Sequence, residues 1–334
     1  MRNINSTAST GATAIGGYLE LELPQAVHRL YPDALRFQSA RAAFHALLLV
    51  GKPKRVWLPK YICNAMPDVV HALAIECSFY DLDPQLGVAP SVVLADGDWL
   101  LHVNYFGICG RQQQALSIRF NPAQLIFDHS QAYFSPPGPG LATIYSPRKF
   151  FGIPDGGLLL TTLPVAEPEH HDANSLARCA HLLARLYSVP EAGYAAFQQA
   201  EQTLDDSRPA AMSPLTRRLL ASIDDEVVRL RRNDNFQFLH SRLQHVNRMQ
   251  IDPADADGPL CYPLLSAIPD LRKALLAERI FVPTYWPEAA SGTAADSLER
   301  DMVENCLPIP CDQRYDRTAL SRVADTLARL LGDR

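Results

Sequence analysis

Apolar and polar positions alternate along the first half of the chain in a way that predicts strands separated by helices. Residues 39–50 (SARAAFHALLLV) keep an apolar face at helical spacing, with Ser39 as N-cap and Gly51 expected just beyond the end. Arg55 to Pro59 is strand-like, Ala65 to Ala74 helical, and Glu76 to Leu82 again strand-like. The apolar runs Trp99 to Phe106, Leu125 to Asp128, Leu141 to Tyr145 and Gly157 to Thr162 complete the set of strands. Such alternation argues for an α/β sheet covered on both faces, whose ligands sit outside the strand ends.

After Thr162 the period becomes helical: Asn174 to Tyr187, Glu191 to Thr203, and a long stretch from Pro214 to about Gln250. Residues 252–259 (DPADADGP) form a loop by composition, which divides the chain into a large unit, 1–250, and a small C-terminal α+β unit, 251–334, ending in a helix over Asp316 to Leu331. Internal repeats and low-complexity tracts are absent.

Composition narrows the classes. With 334 residues and 47% hydrophobic content the chain can bury a large core, and a net charge of −5 argues against a nucleic-acid surface, where phosphate contacts dominate affinity. No apolar run reaches the length of a membrane span. The opening residues 1–16 are small and polar, unlike a secretory signal, and are expected to fray. Seven scattered cysteines without a C-x-x-C pair fit structural thiols in a reducing cytoplasm, and no metal site is expected.

The candidate chemistry lies in residues 143–157 (TIYSPRKFFGIPDGG), which set Lys149 in a turn between two strand-like runs. Upstream, Leu125-Ile126-Phe127-Asp128 is an apolar strand ending in a carboxylate. A lysine condenses with an aldehyde only as the neutral amine, which partial desolvation or neighbouring positive charge such as Arg148 favours. A carboxylate at a buried strand end can keep a pyridine nitrogen protonated, so that the ring draws electrons from a carbanion. Gly156 and Gly157 permit a sharp turn and a close approach by a ligand or a neighbouring chain. Ser146 to Lys149 also reads as S-x-x-K, the nucleophile motif of certain acylases. That chemistry needs a true helix and two further motifs, absent here, and Gly152 and Pro154 would break the helix.

Asp128-His129-Ser130-Gln131, Ser146-Pro147-Arg148-Lys149 and Asp155-Gly156-Gly157 together resemble the DegT-type (StrS-like) sugar aminotransferases, fold-type I pyridoxal phosphate enzymes. Leu35 to Val50 is similar to that family's first cofactor-domain helix, Val56 to Tyr61 to the next strand and loop, Val103 to Gly107 to its V-H-x-Y-G segment, and Leu307 to Tyr315 to its closing segment. The resemblance implies an α/β, fold-type I aminotransferase-like architecture, with a mostly parallel central sheet containing one antiparallel strand and a smaller C-terminal α+β domain. It implies a homodimer binding pyridoxal 5'-phosphate. Its reaction would move an amino group from an amino acid, glutamate first, to a keto-sugar on a nucleotide or lipid carrier, in cytoplasmic surface-polysaccharide synthesis. The alternative on the same fold is a lyase, a dehydratase or a non-catalytic subunit; sugar dehydratases tend to replace the lysine with histidine, and Lys149 is retained.

Carried over residue by residue, Lys149 would hold the cofactor and move the proton, Asp128 would pair with the ring nitrogen, and Gln131 would contact the ring hydroxyl. The phosphate would sit at the helix start formed by Ser39, Ala40 and Arg41, with Ser146 as a further contact. Arg41 reads equally as an exposed helix-end arginine. Tyr61 is the aromatic available to stack on the ring, although the register puts Cys63 at the family's stacking position. Asn104, Tyr105, His129 and Tyr133 are the candidate substrate contacts, each open to a packing role instead. Where the family often has N-x-R-M, this chain reads Arg208-Pro209-Ala210-Ala211-Met212, so Arg208 is the candidate to replace the asparagine's reach to a neighbouring subunit.

Overall fold

The computed structural model describes residues 15–332, so the expectation for residues 1–16 falls mostly outside the described residues. Seven strands make the main sheet: β1 (Leu35–Phe37), β2 (Arg55–Pro59), β3 (Glu76–Tyr80), β4 (Asp98–Val103), β5 (Leu125–His129), β6 (Ala142–Tyr145) and β7 (Gly157–Thr161). Their spatial order is β1-β7-β6-β5-β4-β2-β3. β2 to β6 run parallel, and β7 is antiparallel to both of its neighbours. The chain passes from β2 to the edge strand β3 and then back across to β4, so the order reverses between β2 and β4. Beyond the carboxyl ends of strands flanking such a reversal lies a crevice that neither connection covers.

Every residue of β4, β5 and β6 is buried, which is why these segments read as unbroken apolar runs. The first helix, α1 (Ala40–Gly51), lies in the core, with Ala42, Ala43, Phe44, Leu47 and Leu48 almost wholly buried. The resemblance extended this helix back to Leu35; instead Leu35–Phe37 form β1, paired with β7 through Leu35–Leu159 and Phe37–Gly157. The helix also ends later than its sequence suggests. Gly51 is its last helical residue, and Lys52 takes the left-handed turn at φ 46° while its amide donates to Leu48 O. Trp99 explains the glycine: a Cβ on Gly51 would come within 1.9 Å of its ring.

Two further helices, α2 (Ala65–Ala72) and α3 (Gly110–Arg119), connect the parallel strands. α3 escaped the periodicity because it buries only Gln113 and Leu116. After β7 come α4 (Ser175–Tyr187) and α5 (Pro190–Gln202), packed as a hairpin. The stretch expected as one run from Pro214 to Gln250 is two helices, α6 (Pro214–Leu220) and α7 (Asp225–Leu243). Asp224 makes the break by capping α7, its carboxylate accepting the amides of Glu226 and Val227. The C-terminal part carries the two-stranded antiparallel sheet β8 (Tyr262–Leu265) and β9 (Cys306–Ile309), with α8 (Leu271–Ala277), α9 (Leu298–Asn305) and α10 (Arg317–Gly332) around it. No described helix is long and apolar enough to cross a membrane.

Candidate active site

Asp128 and Lys149 emerge at the same end of the sheet from adjacent strands. Asp128 stands in β5 opposite Ile144 of β6, and Lys149 closes the 3-10 turn Pro147–Lys149 that follows β6. The Asp128 side chain is 4% exposed; one carboxylate oxygen accepts the Ser130 amide at 2.7 Å, and the other has no partner among the described residues. Lys149 is exposed, and its ammonium makes no ion pair among the described residues. The short 3-10 turn is not the helix that an S-x-x-K nucleophile requires.

The lysine loop is fixed from three sides. Behind it, Asp155 is fully buried and accepts the Ser213 amide at 3.1 Å, the Ser213 hydroxyl at 2.6 Å and the Ser175 hydroxyl, so one carboxylate ties the loop to the starts of α4 and α6. On the C-terminal side, Phe150 O accepts Gln313 Nε2 at 2.8 Å and Arg232 Nη2 at 3.3 Å. Arg232 is itself buried, its guanidinium 4.6 Å from the Phe150 ring centroid, and burial pushes its pKa down. On the third side the glycine pair meets the start of α1. Gly156 lies at φ +133° and donates its amide to Gln38 O at 2.7 Å; a Cβ on Gly157 would come within 2.2 Å of the Ser39 carbonyl. The close approach anticipated at these glycines is therefore made by the helix start itself.

That contact brings the α1 N-terminus beside the lysine loop. Ser39 caps the helix by accepting the Ala42 amide at 3.1 Å, and Ala40 is nearly buried. Helix-start amides and the positive end of the helix dipole suit a phosphate dianion. Ser146 is 7% exposed, and its hydroxyl has no partner among the described residues. Arg41 turns away to Leu204 O at 2.8 Å and Asp205 at 3.2 Å. Arg148 likewise pairs with Glu201 of α5. Arg208 is exposed and bound to Asp206.

Gln131 gives the strongest sign that a ligand belongs here. It is fully buried; its Oε1 accepts the Phe106 amide at 2.9 Å, and its Nε2 has no partner among the described residues. A buried amide donor left unpaired costs about 1–3 kcal/mol, which a ligand oxygen would relieve. Cys63, from the loop after β2, lies in the same electrostatic neighbourhood: burial pushes its thiol up, Lys149 and Arg41 pull it down, and Asp128 pushes it up. These residues fit pyridoxal phosphate: an amine, a carboxylate for the ring nitrogen, a donor for the ring oxygen and a helix start for the phosphate. Among the described residues no group of three or more His, Cys, Asp or Glu side chains is placed to hold a metal ion.

Other candidates face the core. Successive strand residues point to opposite sides, so His129 turns away from Asp128. It is fully buried, bonds Gln113 at 2.8 Å and packs edge-on against Tyr145, and burial pushes its pKa down to about 3. Asn104 shapes a turn, accepting the Cys109 amide at 2.9 Å and donating to Ser135 Oγ at 3.3 Å. Tyr105 is buried with its hydroxyl donating to Tyr61 O at 2.8 Å, and Tyr133 is buried among Tyr31, Phe134 and Phe151. Tyr61 is 1% exposed and packs on Tyr105 and Trp286.

Trp286 itself was not singled out from the sequence. Its ring centroid is 6.0 Å from Lys149 Nζ, and its backbone is left-handed at φ 50°, ψ 57°, which costs a non-glycine residue about 1–2 kcal/mol. The run Tyr285-Trp286-Pro287 in a polar C-terminal segment was the available signal.

No family model matches the sequence, and no curated protein matches it. Solved structures do. DesV of S. venezuelae is 19% identical, with 90% of this chain and 85% of that one covered at a TM-score of 0.62. NtdA from Bacillus subtilis, solved with bound cofactor PMP, is 14% identical over 90% of this chain and 73% of its own, TM-score 0.62. A DegT DnrJ EryC1 StrS aminotransferase from Brucella abortus is 15% identical over 90% and 85%, TM-score 0.59. The chain has the fold of these aminotransferases.

Proposed function

We propose that the protein is a pyridoxal phosphate-dependent aminotransferase that moves an amino group from an amino acid, glutamate first, to a keto-sugar carried on a nucleotide or lipid, in cytoplasmic surface-polysaccharide synthesis. The observation that carries this reading is the placement of Lys149 and the Asp128 carboxylate on adjacent strand ends, with Gln131, three residues after Asp128, buried and its Nε2 unpaired among the described residues. When bound, the cofactor supplies an electron sink for the substrate carbon. Lys149 would hold it and, once free, move the proton at that carbon; Asp128 would hold the proton of the ring nitrogen; Gln131 would donate to the ring oxygen. Ser39, Ala40 and the α1 amides, with Ser146, would take the phosphate. The keto-sugar acceptor is supported by the likeness of fold and by the sequence resemblance.

The test is spectral. The purified protein loaded with pyridoxal phosphate should absorb in the visible, and glutamate should convert it to the pyridoxamine form, which keto-sugars then discharge. If glutamate and the other common amino acids leave the band unchanged, the transaminase reading fails and a lyase or non-catalytic role replaces it.

We also propose a homodimer. The family resemblance implies a homodimer, and α7 is not its interface by surplus apolar surface, since it turns Val228, Phe236, Leu239 and Leu243 inward. Support comes instead from the α4–α5 hairpin, which leaves Leu176, Leu183, Leu186, Tyr187 and Tyr194 exposed. Sedimentation should give twice the chain mass; a fully active monomer would end the idea.

A further inference from the structure

An aromatic stack runs from the core to the lysine. Tyr105 and Tyr61 are buried; Trp286 packs edge-on against both, with ring centroids 4.7 Å from Tyr61 and 5.9 Å from Tyr105. Trp286 is the half-buried end of that stack and the member that meets Lys149, 6.0 Å from its Nζ. Its turn is pinned on both sides: Ala289 N donates to Trp286 O at 2.9 Å, and the Glu288 carboxylate accepts the amide of Asn64, next to Cys63, at 3.2 Å. A left-handed backbone held this way at a bulky residue marks a position whose orientation is over-determined by its surroundings. The indole N–H, meanwhile, donates to nothing among the described residues.

We propose that Trp286 is the specificity-determining wall of the acceptor site. A ring-shaped acceptor lies with its apolar C–H face on the indole while its carbonyl carbon is presented to the Lys149 side, and the indole N–H is left for a hydroxyl on the ring's edge. An indole combines a large apolar face with one donor, so it suits a molecule apolar on a face and polar around a rim, which describes a pyranose. An acyclic keto acid has no such face to offer. The inference rests on the aminotransferase reading and deepens it by naming the residue that selects a ring.

The experiment compares Trp286→Ala and Trp286→Phe with the wild type in separate half-reactions. In the acceptor half, run with nucleotide-linked keto-hexopyranoses, Trp286→Ala should raise KM about tenfold or more, and Trp286→Phe should recover most of the loss. In the donor half, run with glutamate, the same alanine variant should raise KM by less than about threefold, because a contact made only by the acceptor contributes nothing there. A readout without turnover accompanies these. In cofactor-free protein, adding the keto-hexopyranose should shift indole emission in the wild type and not in Trp286→Phe, since Trp57 is bonded to Asp98 and Trp99 is packed on Gly51. Equal losses in both halves, no loss in either, or a wild-type enzyme discharged by 2-oxo acids but by no keto-hexopyranose would each overturn the proposal. A wild type that forms no chromophore brings down the aminotransferase reading beneath it, an outcome distinct from these.

Discussion

Lys149→Ala should reduce turnover by at least about a thousandfold, since one substitution removes both the covalent holder and the proton carrier. The side chain is exposed and makes no ion pair among the described residues, so the variant should unfold within about 0.5 kcal/mol of the wild type. That separates lost chemistry from lost fold. Lys149→Arg is the sharper control: it keeps a positive charge but offers no amine able to condense with an aldehyde. Borohydride treatment of the loaded protein, followed by peptide mass mapping, should place the label on Lys149, and a label on any other lysine would sink the assignment.

Asp128→Asn should lower turnover by about a hundredfold to a thousandfold while the cofactor still binds. The asparagine oxygen can keep accepting the Ser130 amide, now held at 2.7 Å, so local geometry should survive. What disappears is the negative charge that keeps the ring nitrogen protonated. Titration with pyridoxal phosphate measures binding and single-turnover rates with glutamate measure the chemistry. Unchanged rates would refute the pyridinium role.

The placement of Asp128 and Lys149 at neighbouring strand ends was legible in the sequence, because strands ending in polar residues are visible one segment at a time. The spacing of Gln131 from Asp128 singled that residue out, but its burial and its bond to the Phe106 amide depend on the turn after β4 and left no local trace. His129 was misplaced among the substrate contacts although its own neighbour held the answer: in a strand, adjacent residues cannot share a face. Gly51 looked like a residue past the helix end because the ring that demands a glycine, Trp99, comes from β4. β1 is only three residues long and exists because β7 returns beside it, so its local sequence carries little signal. Trp286 belongs to an irregular segment far along the chain from Lys149. Only the packing of the C-terminal part against the sheet brings them together, and no periodicity records that.

The antiparallel pairing of β6 with β7 limits how the lysine can move. Because the loop leaves one strand and re-enters its immediate neighbour, both of its ends are hydrogen-bonded into the same rigid surface. The bonds to Phe150 O and Asp155 then hold the segment between. The main chain therefore has little freedom to swing, and the amine must travel between its two tasks by rotating its own four-carbon stem. Rotamer hops of an exposed side chain take picoseconds to nanoseconds, far faster than loop or domain closure. Proton delivery should then never wait for a hinge, and any slow conformational phase in the catalytic cycle has to originate elsewhere in the molecule.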